Sequence, residues 1–193
     1  MSSVARKRAT LSDLLAIPLE ERFHELLAGE LVRRAAPSGE HGGAQADLLI
    51  RLGPSFQRPA GRGGPGGWWF ATEVEILLAT GSVVRADVAG WRRERVPERP
   101  GGMPVEVRPD WVCEVLSPSN ASDDTVKKLR IYHAAGVPHY WLLDPRAATL
   151  TVMRWSEPGY TIVLAAERGE TVRAEPFDAI ELEIGTLFGG DEA

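Results

Sequence analysis

Two carboxylates stand where apolar side chains would be expected. Asp87 interrupts VVRADVAGW and Glu114 interrupts WVCEV, each a run with the composition of a buried strand. Burying a carboxylate is costly unless something pairs with it. One suitable partner is a divalent cation, since Mg²⁺ takes few protein carboxylates and keeps several waters. A metal so held polarises a phosphodiester and supplies a hydroxide nucleophile, and a nearby lysine orients the water or offsets the developing charge. The other partner is a protein cation, with Asp87 pairing to Arg85 or Arg92 and Glu114 to Lys128. The residues alone leave both readings open.

The helix expected from about Ser122 to Ala135 carries two lysines. On a wheel of about 100° per residue, Leu129, Ile131, Tyr132 and Ala135 share one arc, and Lys128 falls inside it with Asp124 close by. Lys127, Arg130 and Ala134 lie on the opposite, solvated side, and Val126 fits neither. Lys128 therefore either snorkels, pairing with Asp124 at i,i+4, or sends its ammonium toward Glu114 or a ligand beside it.

Other chemistries find less support. The glycine-rich stretch RPAGRGGPGG lacks the phosphate-loop pattern and precedes a strand rather than a helix. The four histidines and one cysteine show no zinc-ligand spacing. No Ser/His/Asp or Cys/His set is legible. Cys113 sits in the register opposite Glu114, a packing position, and Trp68-Trp69 reads as core rather than as a base-stacking platform.

The 193 residues are 44% hydrophobic and 25% charged, the composition of one globular domain with a real core. A formal net charge of −5 counts against coating nucleic acid by bulk electrostatics, although a local basic patch is compatible with it. The single cysteine excludes an internal disulfide. MSSVARKRATLSDLL has no apolar h-region, and no run approaches the roughly 18 residues of a membrane span. The expectation is a cytoplasmic protein with no membrane association.

Periodicity and turn residues supply the elements that must position the acids. After a short helix with Ser12 as cap, a hairpin is expected from Phe23–Leu27 and Glu30–Arg34 around Ala28-Gly29. A helix begins at about His41, with Ala44, Leu48, Leu49 and Leu52 inward. Residues 58–67 form a flexible loop and residues 1–9 a mobile terminus. Two strands follow around Thr80-Gly81, with Val84, Ala86 and Val88 facing one way and Arg85 and Asp87 the other. Next come the Glu114 strand, the lysine helix closed by Gly136, the strand HYWLLDP, and a tail of β-hairpin material. The whole reads as a single α/β (α+β) domain over 1–193, a mixed sheet with helices packed on it.

These residues carry a resemblance. ELLAGELVRRAAPSGEHG, VVRADVAGW and WVCEVLSPSNASDDTVKKLRIYHAAGVPHYWLLDP resemble the Uma-two family of bacterial proteins, placed in the PD-(D/E)XK or restriction-endonuclease-like superfamily. The likeness runs from around Thr10 to the end of the sequence. It implies a restriction-endonuclease-like αβββαβ core, to which this chain adds an N-terminal hairpin and C-terminal antiparallel strands. It implies that Asp87 and Glu114 match the motif's two acids, as ligands of Mg²⁺ or Mn²⁺. Leu116 stands where the standard motif has its lysine, and Lys128 matches the relocated position seen in the family. Ala86 replaces the familiar proline. Glu30, His41 and Glu73 match positions that recur near the site and are second-rank candidates.

The expectation is a Mg²⁺-dependent endonuclease acting on DNA, with Asp87, Glu114 and Lys128 as its catalytic residues. The rival is a catalytically inactive nucleic-acid or protein-interaction module on a nuclease scaffold, favoured by the negative charge and the displaced lysine. Related folds often dimerise, so a homodimer is admitted, although the sequence singles out no interface.

Overall fold

Turn and cap chemistry sets most element boundaries. The computed structural model describes residues 8–61, 63–117 and 122–190. Residues 1–7 of the expected mobile terminus, Arg62 of the 58–67 loop, and residues 118–121 after the Glu114 strand lie outside the described residues. Helix α1 (Leu11–Leu15) is capped by Thr10 rather than Ser12. The Thr10 hydroxyl accepts from Asp13 N at 3.3 Å, and the Asp13 carboxylate accepts from Thr10 N at 2.8 Å. This reciprocal box fixes the start upstream of the expected cap. Strands β1 (His24–Leu27) and β2 (Glu30–Arg33) form the expected hairpin. Ala28 and Gly29 both have positive φ, 51° and 87°, the turn whose twist suits a two-residue hairpin.

Helix α2 (Gly39–Phe56) starts before His41, because Ser38 Oγ accepts from His41 N at 3.2 Å and acts as its cap. His41 thereby lies in the first turn and is buried. Strands β3 (Trp68–Leu77) and β4 (Val83–Arg92) pair along their whole length. Strand β5 (Trp111–Val115) then pairs antiparallel to β4, from Val88↔Cys113 to Gly90↔Trp111. A π-helical turn, Asp123–Lys128, runs into α3 (Leu129–Ala134), and this crossover delivers β6 (His139–Asp144) parallel to β5. Strands β7 (Thr149–Ser156) and β8 (Gly159–Glu167) extend the sheet as a hairpin. The short β9 (Thr171–Val172) and β10 (Leu182–Glu183) pair apart from it. The sheet order is β2-β1-β4-β5-β6-β7-β8, with β3 on the other edge of β4. The segment α2-β3-β4-β5-α3-β6 is the expected αβββαβ core. Among the described residues no helix is long and apolar enough to cross a membrane.

Helix α2 covers one face of the sheet, where Leu48, Leu52 and Phe56 pack with Val88, Cys113 and Trp141. Helix α3 covers the other, where Ile131 and Tyr132 pack with Val84, Ala86 and Val112. The expected grouping of Val84, Ala86 and Val88 on one face therefore fails at Val88. Glu73, with φ of 51°, lies between the pairs Thr72↔Val88 and Val74↔Ala86, across from Asp87. A left-handed residue there turns the pleat, so alternation breaks at Asp87.

On the α2 face Phe177, between β9 and β10, meets Phe56, Trp68, Phe70, Trp111 and Trp141 edge-on, at centroid distances of 4.9, 4.9, 5.6, 5.0 and 5.6 Å. Such pairs add to plain area burial. Truncation of this fully buried ring by Phe177→Ala is expected to cost about 3–5 kcal/mol. Urea unfolding checks this: the midpoint should fall at unchanged slope, and a midpoint that does not move would show that the core closes without the ring.

Candidate functional site

The centre forms where the sheet forks. Strand β1 touches β4 at Leu26↔Val83, and β5 joins the same edge of β4 only from Val88↔Cys113 onward. Between these contacts, carboxylates take over from strand carbonyls or stand in their place. Arg85 N donates to Glu25 Oε1 at 2.6 Å, and Val115 N donates to Asp87 Oδ2 at 2.7 Å. Buried backbone donors need acceptors, and the two acids supply them.

Asp87 is fully buried. Its Oδ1 accepts from Arg34 Nη2 at 2.7 Å and lies 3.4 Å from His41 Nε2. Arg34 Nη1 reaches Glu73 Oε2 at 2.6 Å, and Gln45 donates both to Glu73 Oε1, at 3.4 Å, and to the Asp87 carbonyl. Burial pushes the Asp87 carboxyl up, but His41, Lys128 and Arg34 outweigh it and hold it at about 2. Burial works against a charged His41, yet Asp87 and Glu73 raise the imidazole above its ordinary range.

Glu114 has both oxygens engaged. Oε2 accepts from Lys128 Nζ at 3.0 Å and Oε1 from the Tyr132 hydroxyl at 2.6 Å. The same ammonium lies 3.2 Å from Glu25 Oε1 and 3.2 Å from Asp124 Oδ1. Burial pushes Glu114 well above the usual carboxylate range; Lys128 opposes this, and the neighbouring acids add to it. Burial likewise pushes Asp124 up to about 6, against the pull of Lys128. Burial disfavours the Lys128 ammonium, but Glu114, Glu25, Asp124 and Asp87 raise it well above its ordinary value. Glu25, Asp87, Glu114 and Asp124, all buried, thus face two permanent cations, Arg34 and Lys128. A cavity of about 430 Å³, lined among others by Glu25, Arg34, His41, Asp124 and Lys128, lies against this centre, with Asp87 and Glu114 buried behind its wall.

The structure brings Asp87, Glu114 and Lys128 into one network, and places His41 and Glu73 beside Asp87. Ligand atoms of His41, Glu73 and Asp87 all lie within 4.8 Å of one another. Glu30 stands apart at the exposed start of β2, 3.5 Å from Lys127 Nζ. Arg85 and Arg92 are not the partners of Asp87: Arg85 binds Glu75 Oε1 at 2.6 Å, and Arg92 lies over the Trp68 ring. Lys128 points inward and Lys127 outward, as the wheel implied. The poor fit of Val126, which is exposed, follows from the π-helical turn, whose wider winding departs from 100° per residue. Sequence reasoning missed Glu25, Arg34, Gln45 and Tyr132. Glu25 carried a signal, since an acid inside HELL is the same misfit as Glu114 inside WVCEV.

The αβββαβ core in a mixed sheet is the fold expected of restriction-endonuclease-like proteins. The chain matches the Uma2 family, described as "Putative restriction endonuclease", over residues 11–185, and belongs to it. Its fold is similar to that in the crystal structure of "a putative nuclease belonging to DUF820" from Anabaena variabilis ATCC 29413. That comparison has a TM-score of 0.71 at 22% identity and covers 93% of this chain and 97% of the other. No curated protein matches the chain.

The raised Asp124 carboxyl has a signature in stability. Its folded value, about 6, exceeds the ordinary 3.8. The folded chain therefore keeps a proton that the unfolded chain has lost, so its contribution is full below about 4 and fades as pH rises through about 6. Asp124→Asn is expected to flatten the fall in urea stability across that window, and an unaltered slope would show that Asp124 holds no proton when folded.

Proposed function

We propose that the chain is a Mg²⁺- or Mn²⁺-dependent endonuclease that hydrolyses phosphodiester bonds in DNA. The observation carrying this reading is the convergence of His41, Glu73 and Asp87 beside the Glu114–Lys128 pair, with His41 and Lys128 lining a cavity, in a chain of this family. The donor set suits a divalent cation. The buried His41 Nε2 has no well-formed hydrogen bond, its closest acid oxygen being Asp87 Oδ1 at 3.4 Å. Asp87 and Glu114 would hold the ion, with Glu73 and His41 flanking Asp87. When bound, such a cation polarises the phosphodiester and acidifies a water at neutral pH.

The chain's own residues do the rest. Lys128 offers an ammonium donor beside Glu114, placed to orient the attacking water or to offset charge on the pentacoordinate phosphorus. Its burial and its three acid neighbours keep it protonated, so it acts as a cation and not as a base. Tyr132 fixes the Glu114 carboxylate from below, and Arg34 and Gln45 hold Glu73 and the Asp87 backbone in place.

A second reading draws on one observation: Asp87 and Glu114 already carry protein cations, Arg34 and Lys128. That supports an inactive nucleic-acid or protein-interaction module on the same scaffold. Calorimetric titration of Mn²⁺, with plasmid nicking on the same samples, separates the two. The nuclease reading expects wild type to bind and nick, and Asp87→Asn and Glu114→Gln to lose both while keeping a cooperative unfolding transition. Full activity in either variant sinks the assignment, and wild type that neither binds nor nicks favours the ion-paired module.

A further inference from the structure

The segment from Arg33 to Pro37 runs between two cavities. One is the site cavity. The other, of about 440 Å³, is lined by Phe23, Arg33, Ala35, Ala36, Pro37 and Glu73 among others. Its size falls within the range of small-ligand pockets, and none of the chemistry above uses it.

Its lining is unusual for plain surface. Phe23 is 53% exposed, yet it lines the concavity together with the small apolar stretch Ala35-Ala36-Pro37. The Phe23 backbone is also held in register with the centre. Phe23 O accepts from Arg34 N at 2.8 Å, continuing the β1–β2 pairing beyond His24↔Arg33. Arg34 is the residue whose guanidinium grips Asp87 and Glu73. Glu73 belongs to both places, lining this cavity and standing in the acid–imidazole cluster. The arginines divide by role. Arg34 and Arg85 are taken by Asp87, Glu73 and Glu75, whereas Arg33 is exposed and, among the described residues, makes no side-chain hydrogen bond or ion pair.

We propose that this second cavity is a nucleobase subsite. One unstacked base of the substrate strand lies against Phe23, with Arg33 on an adjoining phosphate, so that single-stranded or locally unpaired DNA is preferred. The proposal rests on the DNA reading above and specifies its substrate. A base inside a duplex is stacked on both faces and cannot reach a side-chain platform, whereas an unpaired base of any type can stack on an aromatic ring. Stacking also reconciles DNA binding with a net charge of −5, since affinity then depends less on phosphate neutralisation.

The test is fluorescence anisotropy on the full chain, in Ca²⁺, with three labelled probes of equal length: oligothymidylate, a strand of abasic sugars, and a blunt duplex. Wild type should prefer the base-bearing strand over both others by about tenfold or more. Phe23→Ala should weaken only that strand, by roughly 5- to 100-fold, and Phe23→Trp should restore it. Matching thermal unfolding of the variants, expected for an exposed ring, separates stacking from folding. Equal binding of the three probes, a preference that survives Phe23→Ala, or no binding of any probe overturns the subsite. Phe23-dependent preference in a chain that never nicks DNA would keep the subsite and remove the catalytic reading. Nicking that ignores Phe23 would do the reverse.

Discussion

The ammonium of Lys128 is the counter-charge on which the centre depends. Glu25, Glu114 and Asp124 all lie within 3.2 Å of it, and none of them is solvated. Removing one partner from such a cluster leaves uncompensated buried charge, far costlier than the net worth of the pairs. Its placement follows from local geometry. The π-helical turn Asp123–Lys128 directs Asp124 and Lys128 to the same interior, and Tyr132 on α3 takes the oxygen of Glu114 that Lys128 leaves. The helix is thus pinned to the sheet by polar contacts in the middle of an apolar interface.

The fork in the sheet explains why acids are found there at all. Where β1 and β5 part along the edge of β4, the N–H groups of Arg85 and Val115 need acceptors, and the side chains of Glu25 and Asp87 provide them. Asp87 belongs to both accounts: its carboxylate satisfies the Val115 N–H and stands in the cluster with His41 and Glu73. Glu25 and Asp87 are tolerated at burial because each takes a backbone donor, and Glu114 because Lys128 and Tyr132 take its two oxygens.

Much of this was legible as misfit. Asp87 and Glu114 stood out as acids in apolar strands, and Lys128 as a cation on an apolar arc, and the structure joins all three. The hairpin at Ala28-Gly29 was readable from Gly29, which suits a left-handed position, whereas Ala28 takes one that alanine rarely adopts. Arg34 was not readable, since its role exists only once the hairpin lies against β4, a relation that no local pattern encodes. The start of α2 was misplaced because the apolar repeat begins later than the Ser38 cap. The change of face at Val88 depends on the φ of Glu73, a residue on another strand. The wheel blurred at Val126 because it assumed α-helical winding.

The position of Phe177 imposes an order on maturation. A chain leaves the ribosome from its N-terminus, so α2 and β3 to β8 emerge while Trp68, Trp111 and Trp141 still lack the ring that fills the space between them. Until that segment arrives, those aromatic rings lack the Phe177 contacts that complete their cluster. Every residue of the charged centre precedes Ala134, yet the aromatic cluster that α2 covers is completed only by Phe177 of the tail. In the nascent protein the chemistry is written early, and its rigidity arrives late.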